Sequence, residues 1–185
     1  MKDSMPIVKP ISRLELKAII SRSIKLFGPD CDLNWLDTSD ITDMECMFYK
    51  AENFNQPLDN WDVSSVKTMK SMFYRAKSFN KPLNSWDVSS VSDMNGMFLG
   101  AENFNKPLNK WNVSNVTDMG LMFYQAINFN QPLNNWNVSN ITDMIGMFAG
   151  AKKFNKPLNK WDVSNVKNMR GMFLGAKNFN QPLDN

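Results

Sequence analysis

The residues best suited to chemistry in this chain recur at fixed intervals. Met69 and Met72, Met94 and Met97, Met119 and Met122, Met144 and Met147, and Met169 and Met172 form Met-x-x-Met pairs. Soft thioethers at that spacing can ligate Cu(I). Each pair, however, lies beside a Phe in an apolar run, where Met fills irregular gaps. Core packing is the reading taken, and no metal is assigned. Asp37, Asp62, Asp87, Asn112, Asn137 and Asp162 recur in the same way, projecting outward from successive segments. Stacked side by side, their oxygens could attract a hard cation such as Ca²⁺, but such a site needs several convergent oxygens. Neighbouring Ser and Asn, backbone groups or solvent resolve the like-charge contact of Asp62 with Asp87 equally well.

Other chemistry is thin. The chain has no His, which removes the usual general base and the commonest metal ligand. Cys31 and Cys46 are the only thiols. Cys46 shares its slot with Ser71, Gly96, Leu121, Gly146 and Gly171 and reads as a small space-filler; a Cys31–Cys46 disulfide is the alternative. There is no Gly-rich phosphate loop and no acid pair outside the repeat, so no enzyme activity and no cofactor are expected. Tyr49, Tyr74 and Tyr124 share a column with Leu99, Ala149 and Leu174, and Lys70, Asn95, Gly120, Ile145 and Arg170 form the most variable column. A position free to vary inside a strict repeat faces solvent or a partner, and exposed Tyr is favoured at interfaces. Tyr49, Tyr74, Tyr124, Asp62, Asp87, Asn112, Asn137 and Asp162 are therefore the candidate partner-binding residues.

What must position these side chains is a repeat of 25 residues running from Leu36 to Asn185. Trp61, Trp86, Trp111, Trp136 and Trp161 mark it, as do six Met-Phe pairs and six Phe-Asn-x-Pro-Leu blocks. The units tile as 36–60, 61–85, 86–110, 111–135, 136–160 and 161–185, with residues 1–35 outside the register. A period in this range signals a solenoid, and solenoids mostly present extended binding surfaces. The expected class is an α/β repeat solenoid. Within the unit 86–110, Trp86 and Val88 alternate with polar residues and predict a short inward-facing strand. Val91, Met94, Met97, Phe98 and Ala101 predict a short helix or helical turn. Ser90 with Asp93, Asn115 with Asp118 and Asn140 with Asp143 resemble capping boxes, and Gly100, Gly150 and Gly175 resemble C-terminal helix glycines. Pro107 ends regular structure and Leu108 returns to the core. The Asn after each repeat Phe, from Asn55 to Asn180, is expected to form a structural ladder satisfying buried backbone groups.

The ends differ. Ser12 is expected to start a helix over about 12–27 that lids the first unit, with Leu14, Ile19, Ile20, Ile24 and Leu26 on its apolar face and Lys17, Arg22 and Lys25 opposite; a membrane-surface helix is the alternative. The first unit is atypical, with Leu36 in the Trp slot. The sixth unit ends uncapped on the unit boundary, so the expectation is a longer chain or an edge that pairs with another copy. Lys plus Arg is 21 against 18 Asp plus Glu, a net +3, too balanced and too dispersed to indicate nucleic acid. No apolar leader or membrane span is present, so the chain as written is expected in the cytoplasm. The Asn-x-Ser/Thr sequences from Asn112 to Thr142 recur with the repeat and have meaning only in a eukaryotic secretory route.

Trp111-Asn112-Val113-Ser114-Asn115-Val116-Thr117-Asp118-Met119, Met122-Phe123 and Phe129-Asn130-Gln131-Pro132-Leu133 resemble the BspA-type leucine-rich-repeat proteins. They are closer still to the 25-residue-repeat branch found in mycoplasma lipoproteins and host-associated bacteria. The segment from Gly28 to Met44 is similar to the way that family begins its arrays. The resemblance implies a right-handed, leucine-rich-repeat-like superhelix with a role in adhesion or protein binding. It also implies a place at the cell surface, or secretion, where a leader is missing from the sequence. The expected function is a non-catalytic binding or adhesion scaffold whose partner is a protein, a host surface component being one candidate. The alternative is a structural module that self-associates end to end through its C-terminal edge.

Overall fold

The computed structural model describes residues 7–183. Among these residues the one regular element, α1, is the α-helix Arg13–Phe27. Ser12 caps it, its hydroxyl accepting from Glu15 N–H, while Glu15 accepts from Ile11 N–H; a cap of this kind satisfies donors that the first turn leaves unpaired. Gly28 ends it with φ 79°, a left-handed geometry that costs glycine little. The face that α1 buries is Leu16, Ile20 and Ser23, with Ile19 and Ile24 half-buried. Leu14 and Leu26, expected on that face, are instead 76% and 61% exposed. Leu14 lies two residues from Leu16, which is about 200° around the helix. Arg13 anchors α1 to the first unit through Asp43 and Glu45, at 3.2 and 3.4 Å. Val8 pairs in parallel with Leu36 beside it.

From Leu36 onward each unit is a coil hydrogen-bonded to the next. Isolated parallel bridges join Asp43 to Thr68, Thr68 to Asp93, Asp93 to Asp118, Asp118 to Asp143 and Asp143 to Asn168. This corrects the predicted strand: pairing runs through the Asp93 column, and Trp86 and Val88 lie outside it between two turns, closed by Trp86 N–H to Leu83 O and Val91 N–H to Val88 O. The predicted helix over 91–101 is absent as well. The N–H groups of Met94, Gly96, Phe98 and Gly100 donate to the carbonyls of Asp118, Gly120, Met122 and Tyr124 on the next coil. The intervening N–H groups of Met97, Leu99 and Ala101 bond back three residues, to Met94, Gly96 and Phe98. The result is a ribbon of tandem turns in which every second peptide faces the neighbouring coil.

Alternation of that kind needs a reversal of backbone handedness. It falls in two columns. One holds Cys46, Ser71, Gly96, Leu121, Gly146 and Gly171, all with φ between 52° and 65°; the other holds Lys50, Arg75, Gly100, Gln125, Gly150 and Gly175, between 52° and 71°. The Cys46 slot is therefore a left-handed position rather than a place for a small filler, and the second column is left-handed in all six units, whatever its side chain. The supposed capping boxes are also something else. Asp93 Oδ1 accepts from Asn95 N–H, Asp118 Oδ1 from Gly120 N–H and Asp143 Oδ1 from Ile145 N–H, at 2.7–2.8 Å, so these carboxylates pin the turns beside the ladder.

The rest of each coil is held by side chains. Trp86, Val88, Val91, Met94, Met97, Phe98, Ala101, Phe104 and Leu108 are each at most 5% exposed. Trp111 Nε1 donates to Leu83 O at 2.9 Å, and Trp61, Trp86, Trp136 and Trp161 repeat the bond to Leu33, Leu58, Leu108 and Leu133. The Asn ladder is present: Asn55 Oδ1 accepts from Asn80 N–H, and Asn80, Asn105, Asn130 and Asn155 continue it at 2.9–3.0 Å. Stacked rings report the spacing. Tyr49 and Tyr74 are 4.5 Å apart, Phe73 and Phe98 5.5 Å, Phe79 and Phe104 6.1 Å, Trp111 and Trp136 6.4 Å. Paired strands sit about 4.8 Å apart, so the stack is tight at the ribbon and fans open toward the Trp column.

Candidate functional site

The tight side gathers the columns that vary. Along the ribbon Met94, Met97 and Phe98 point inward and are fully buried, while Asp93, Asn95 and Leu99 are half-exposed. Tyr49, 43% exposed, stacks on Tyr74 with rings 10° from parallel. Lys50 lies 5.3 Å from the Tyr49 ring centre and the Arg75 guanidinium 5.5 Å from that of Tyr74. The left-handed slots that hold Lys50 and Arg75 set these cations beside the rings, within cation–π range. Lys77 pairs with Glu52 at 3.0 Å. The third tyrosine, Tyr124, is half-exposed and stands apart, because Leu99 and Ala149 occupy the same column on its two sides.

The variable column is less uniform than its sequence suggests. Lys70 and Arg170 are exposed, Asn95 and Ile145 half-buried, and Gly120 is buried. A Cβ at Gly120 would meet Asn95 Nδ2 at 2.9 Å and Ile145 Cγ2 at 3.0 Å. The two neighbours lean over the glycine and close it off. Asn95 Nδ2 also donates to both carboxylate oxygens of Asp118, at 3.1 and 3.3 Å. Asp93, between Lys70 and Asp118, has its pKa raised, first by burial and then by the Asp118 charge. Among the described residues no group of three or more Cys, Asp and Glu is arranged to hold a metal ion.

The Asp62 column lies apart from the tyrosines, following the Trp. All five candidates there are exposed, and each binds its own turn. Asp62 Oδ1 accepts from Ser64 N–H and hydroxyl at 2.9 and 2.7 Å, and Asn112 and Asn137 bind Ser114 and Ser139 the same way. Asp87 and Asp162 accept from Ser89 and Ser164. The Ser89 and Ser164 hydroxyls and N–H groups hold both carboxyls below the usual carboxylate range. Cys31 is buried, Cys46 half-buried, and both thiols are free; burial pushes each pKa up, which favours the inert thiol form.

With these positions established, the sequence matches a family described as Mycoplasma protein of unknown function, DUF285, over residues 23–126 and again over 106–185. The chain belongs to that family. Two overlapping matches are what a repeat gives when one model is laid on it twice. No curated protein and no solved structure matches the chain. No helix among the described residues of this DUF285 protein is long and apolar enough to cross a membrane.

The geometry brings Tyr49 and Tyr74 together and leaves Tyr124 and the Asp62 column separate. Sequence reasoning passed over Lys50 and Arg75, the cations beside the stacked rings. Their signal was present: in the first two units a Tyr is followed directly by a cation, where three of the other four units place Gly.

Proposed function

We propose that this DUF285 chain is a non-catalytic binding scaffold, a leucine-rich-repeat-like solenoid of right-handed sense that engages a protein partner across the ribbon face. The handedness, the kinship with BspA-type proteins and a role in adhesion at the cell surface rest on the sequence resemblance. The observation that carries the site is the Tyr49–Tyr74 stack flanked by Lys50 and Arg75. Rigid aromatic rings beside cations offer large contact area at small entropic cost, the composition enriched at interface hot spots. A fixed coil spacing holds the pair in register, so little ordering remains to be done on binding.

The test is capture of partners from host and native lysates on the immobilised chain, compared with a Tyr49→Ala/Tyr74→Ala variant and with Asp162→Asn as control. The expected result is a captured protein lost with the tyrosines and kept with Asp162→Asn. Equal capture by all three would remove the ribbon face from consideration.

A further inference from the structure

The Asn ladder does more than close the coil. Asn55, Asn80, Asn105 and Asn130, with Ser78, Asn103, Asn128 and Lys153, line a continuous open groove of about 520 Å³ along the stack. The backbone N–H bonded to each of these Oδ1 atoms fixes the orientation of the amide. Each Nδ2 must therefore point the other way. Among the described residues those four Nδ2 groups donate to no protein acceptor. They are not sealed off either, since among the described residues Arg13 Nε is the one buried side-chain polar atom without a partner. Four amide donors thus stand in the groove in register with the coils. The Phe54, Phe79, Phe104, Phe129 and Phe154 rings beneath them repeat every 6.1–6.2 Å.

The surroundings decide what fits. No carboxylate lines the groove, Lys153 does, and half-exposed Lys81, Lys106 and Lys156 directly follow Asn80, Asn105 and Asn155 in sequence. The site is donor-rich and positive. It has no exposed aromatic ring on which nucleic-acid bases would stack, and no apolar pockets to take the side chains of a bound peptide. A linear, acceptor-rich, anionic polymer without bases or apolar groups meets all of these conditions. We propose that the groove over Asn55–Lys153 binds an acidic polysaccharide, its hydroxyl and carboxylate or sulfate oxygens accepting from successive Nδ2 groups while the lysines neutralise its charge.

The experiment is calorimetric titration of the full chain at about 0.15 M salt, with heparin as the acidic polysaccharide, dextran as a neutral one and oligothymidylate as a nucleic acid. Heparin is expected to bind and the other two to bind more weakly. Lys153→Glu should weaken heparin about tenfold, and Asn105→Asp, which keeps the ladder acceptor but replaces the donor with a negative charge, should weaken it comparably. Lys67→Glu, the same charge change in the column that opens the ribbon, should leave affinity within about twofold. Where Asn105→Asp lowers the melting temperature, Lys153→Glu and Lys156→Gln decide the matter. Absence of heparin binding, an equal loss with Lys67→Glu, or tighter binding of oligothymidylate than of heparin would each overturn the proposal.

Discussion

The two sides of each coil are held together by different groups. On the ribbon side, residues 93–100, the backbone bonds to the backbone of the next coil through Met94, Gly96, Phe98 and Gly100. Towards the fanned side the coil-to-coil backbone bonds end at the column of Asn103 and Asn128, whose N–H groups donate to Lys77 O and Glu102 O, and beyond it side chains bridge the coils: Asn105 Oδ1 to Asn130 N–H, and Trp111 Nε1 to Leu83 O. The difference explains the pattern of variation inside the repeat. Backbone pairing asks little of side chains, so Glu45, Lys70, Asn95, Gly120, Ile145 and Arg170 can share one column. A bond made by a particular side chain admits one residue, so Asn is unbroken in its column and Trp recurs in five of six units. Variation marks where the stack is self-sufficient, and a recognition surface can be written there at small cost in stability.

Substitution should separate the two sides. The largest effect is expected at Phe104→Ala, which empties a fully buried site stacked on Phe79, Phe98 and Phe129; a loss of about 3–5 kcal/mol is expected in urea denaturation. Asn105→Ala should cost about 1–3 kcal/mol by orphaning Asn130 N–H. Trp111→Phe, which removes the donor to Leu83 O, should fall in a similar range, near 1–3 kcal/mol. A near-neutral Asn105→Ala would break the contrast outright. On the ribbon side the sensitive feature is handedness. Gly100→Ala should destabilise by about 1–2 kcal/mol, since φ is 67° and Arg75 Cγ lies 3.1 Å from the added Cβ. Gln125→Gly at the equivalent position should stabilise by about 0.5–1 kcal/mol. Lys70→Ala, in the variable column, should stay within about 0.5 kcal/mol of the parent.

The smallest effect sharpens the picture by pH. Asp93 is raised by burial and by Asp118, so its folded pKa lies above the unfolded one. Such a group stabilises the fold while protonated, below the unfolded carboxylate value, and that contribution is lost as pH rises through the folded pKa. Asp93→Asn keeps an acceptor for Asn95 N–H and removes the charge. It should raise the melting temperature at pH 7 by about 1–2 °C, with the gain disappearing as pH falls below about 3.9. A gain that persisted under acid would assign the effect to something other than the Asp93–Asp118 charge contact.

The part of the fold legible in the sequence is the part that side chains build. The inward set from Trp86 to Leu108, the Asn ladder and the Ser12-capped helix could be located because their residue types have few other uses. The backbone between Val91 and Ala101 was not legible. The offsets of Val91, Met94, Met97, Phe98 and Ala101 fit one helix face, yet the same side chains face inward from a ribbon of turns. The candidate site was half legible: Tyr49 and Tyr74 stood out as exposed aromatics in a variable column, but the Asp62 column looked equally outward and is committed to its own turns.

The sequence by itself determined the 25-residue register, the composition of the core and the columns free to vary, because each follows from counting residue types at a fixed period. The backbone conformation between Met94 and Ala101 was decided by tertiary structure. Left-handed geometry at Leu121 or Gln125 is unfavourable in an isolated segment. It becomes the stable choice only when the next coil supplies the carbonyls of Ile145 and Ala149 to receive their N–H groups. Those acceptors are brought into place by folding, and no window of local sequence contains them.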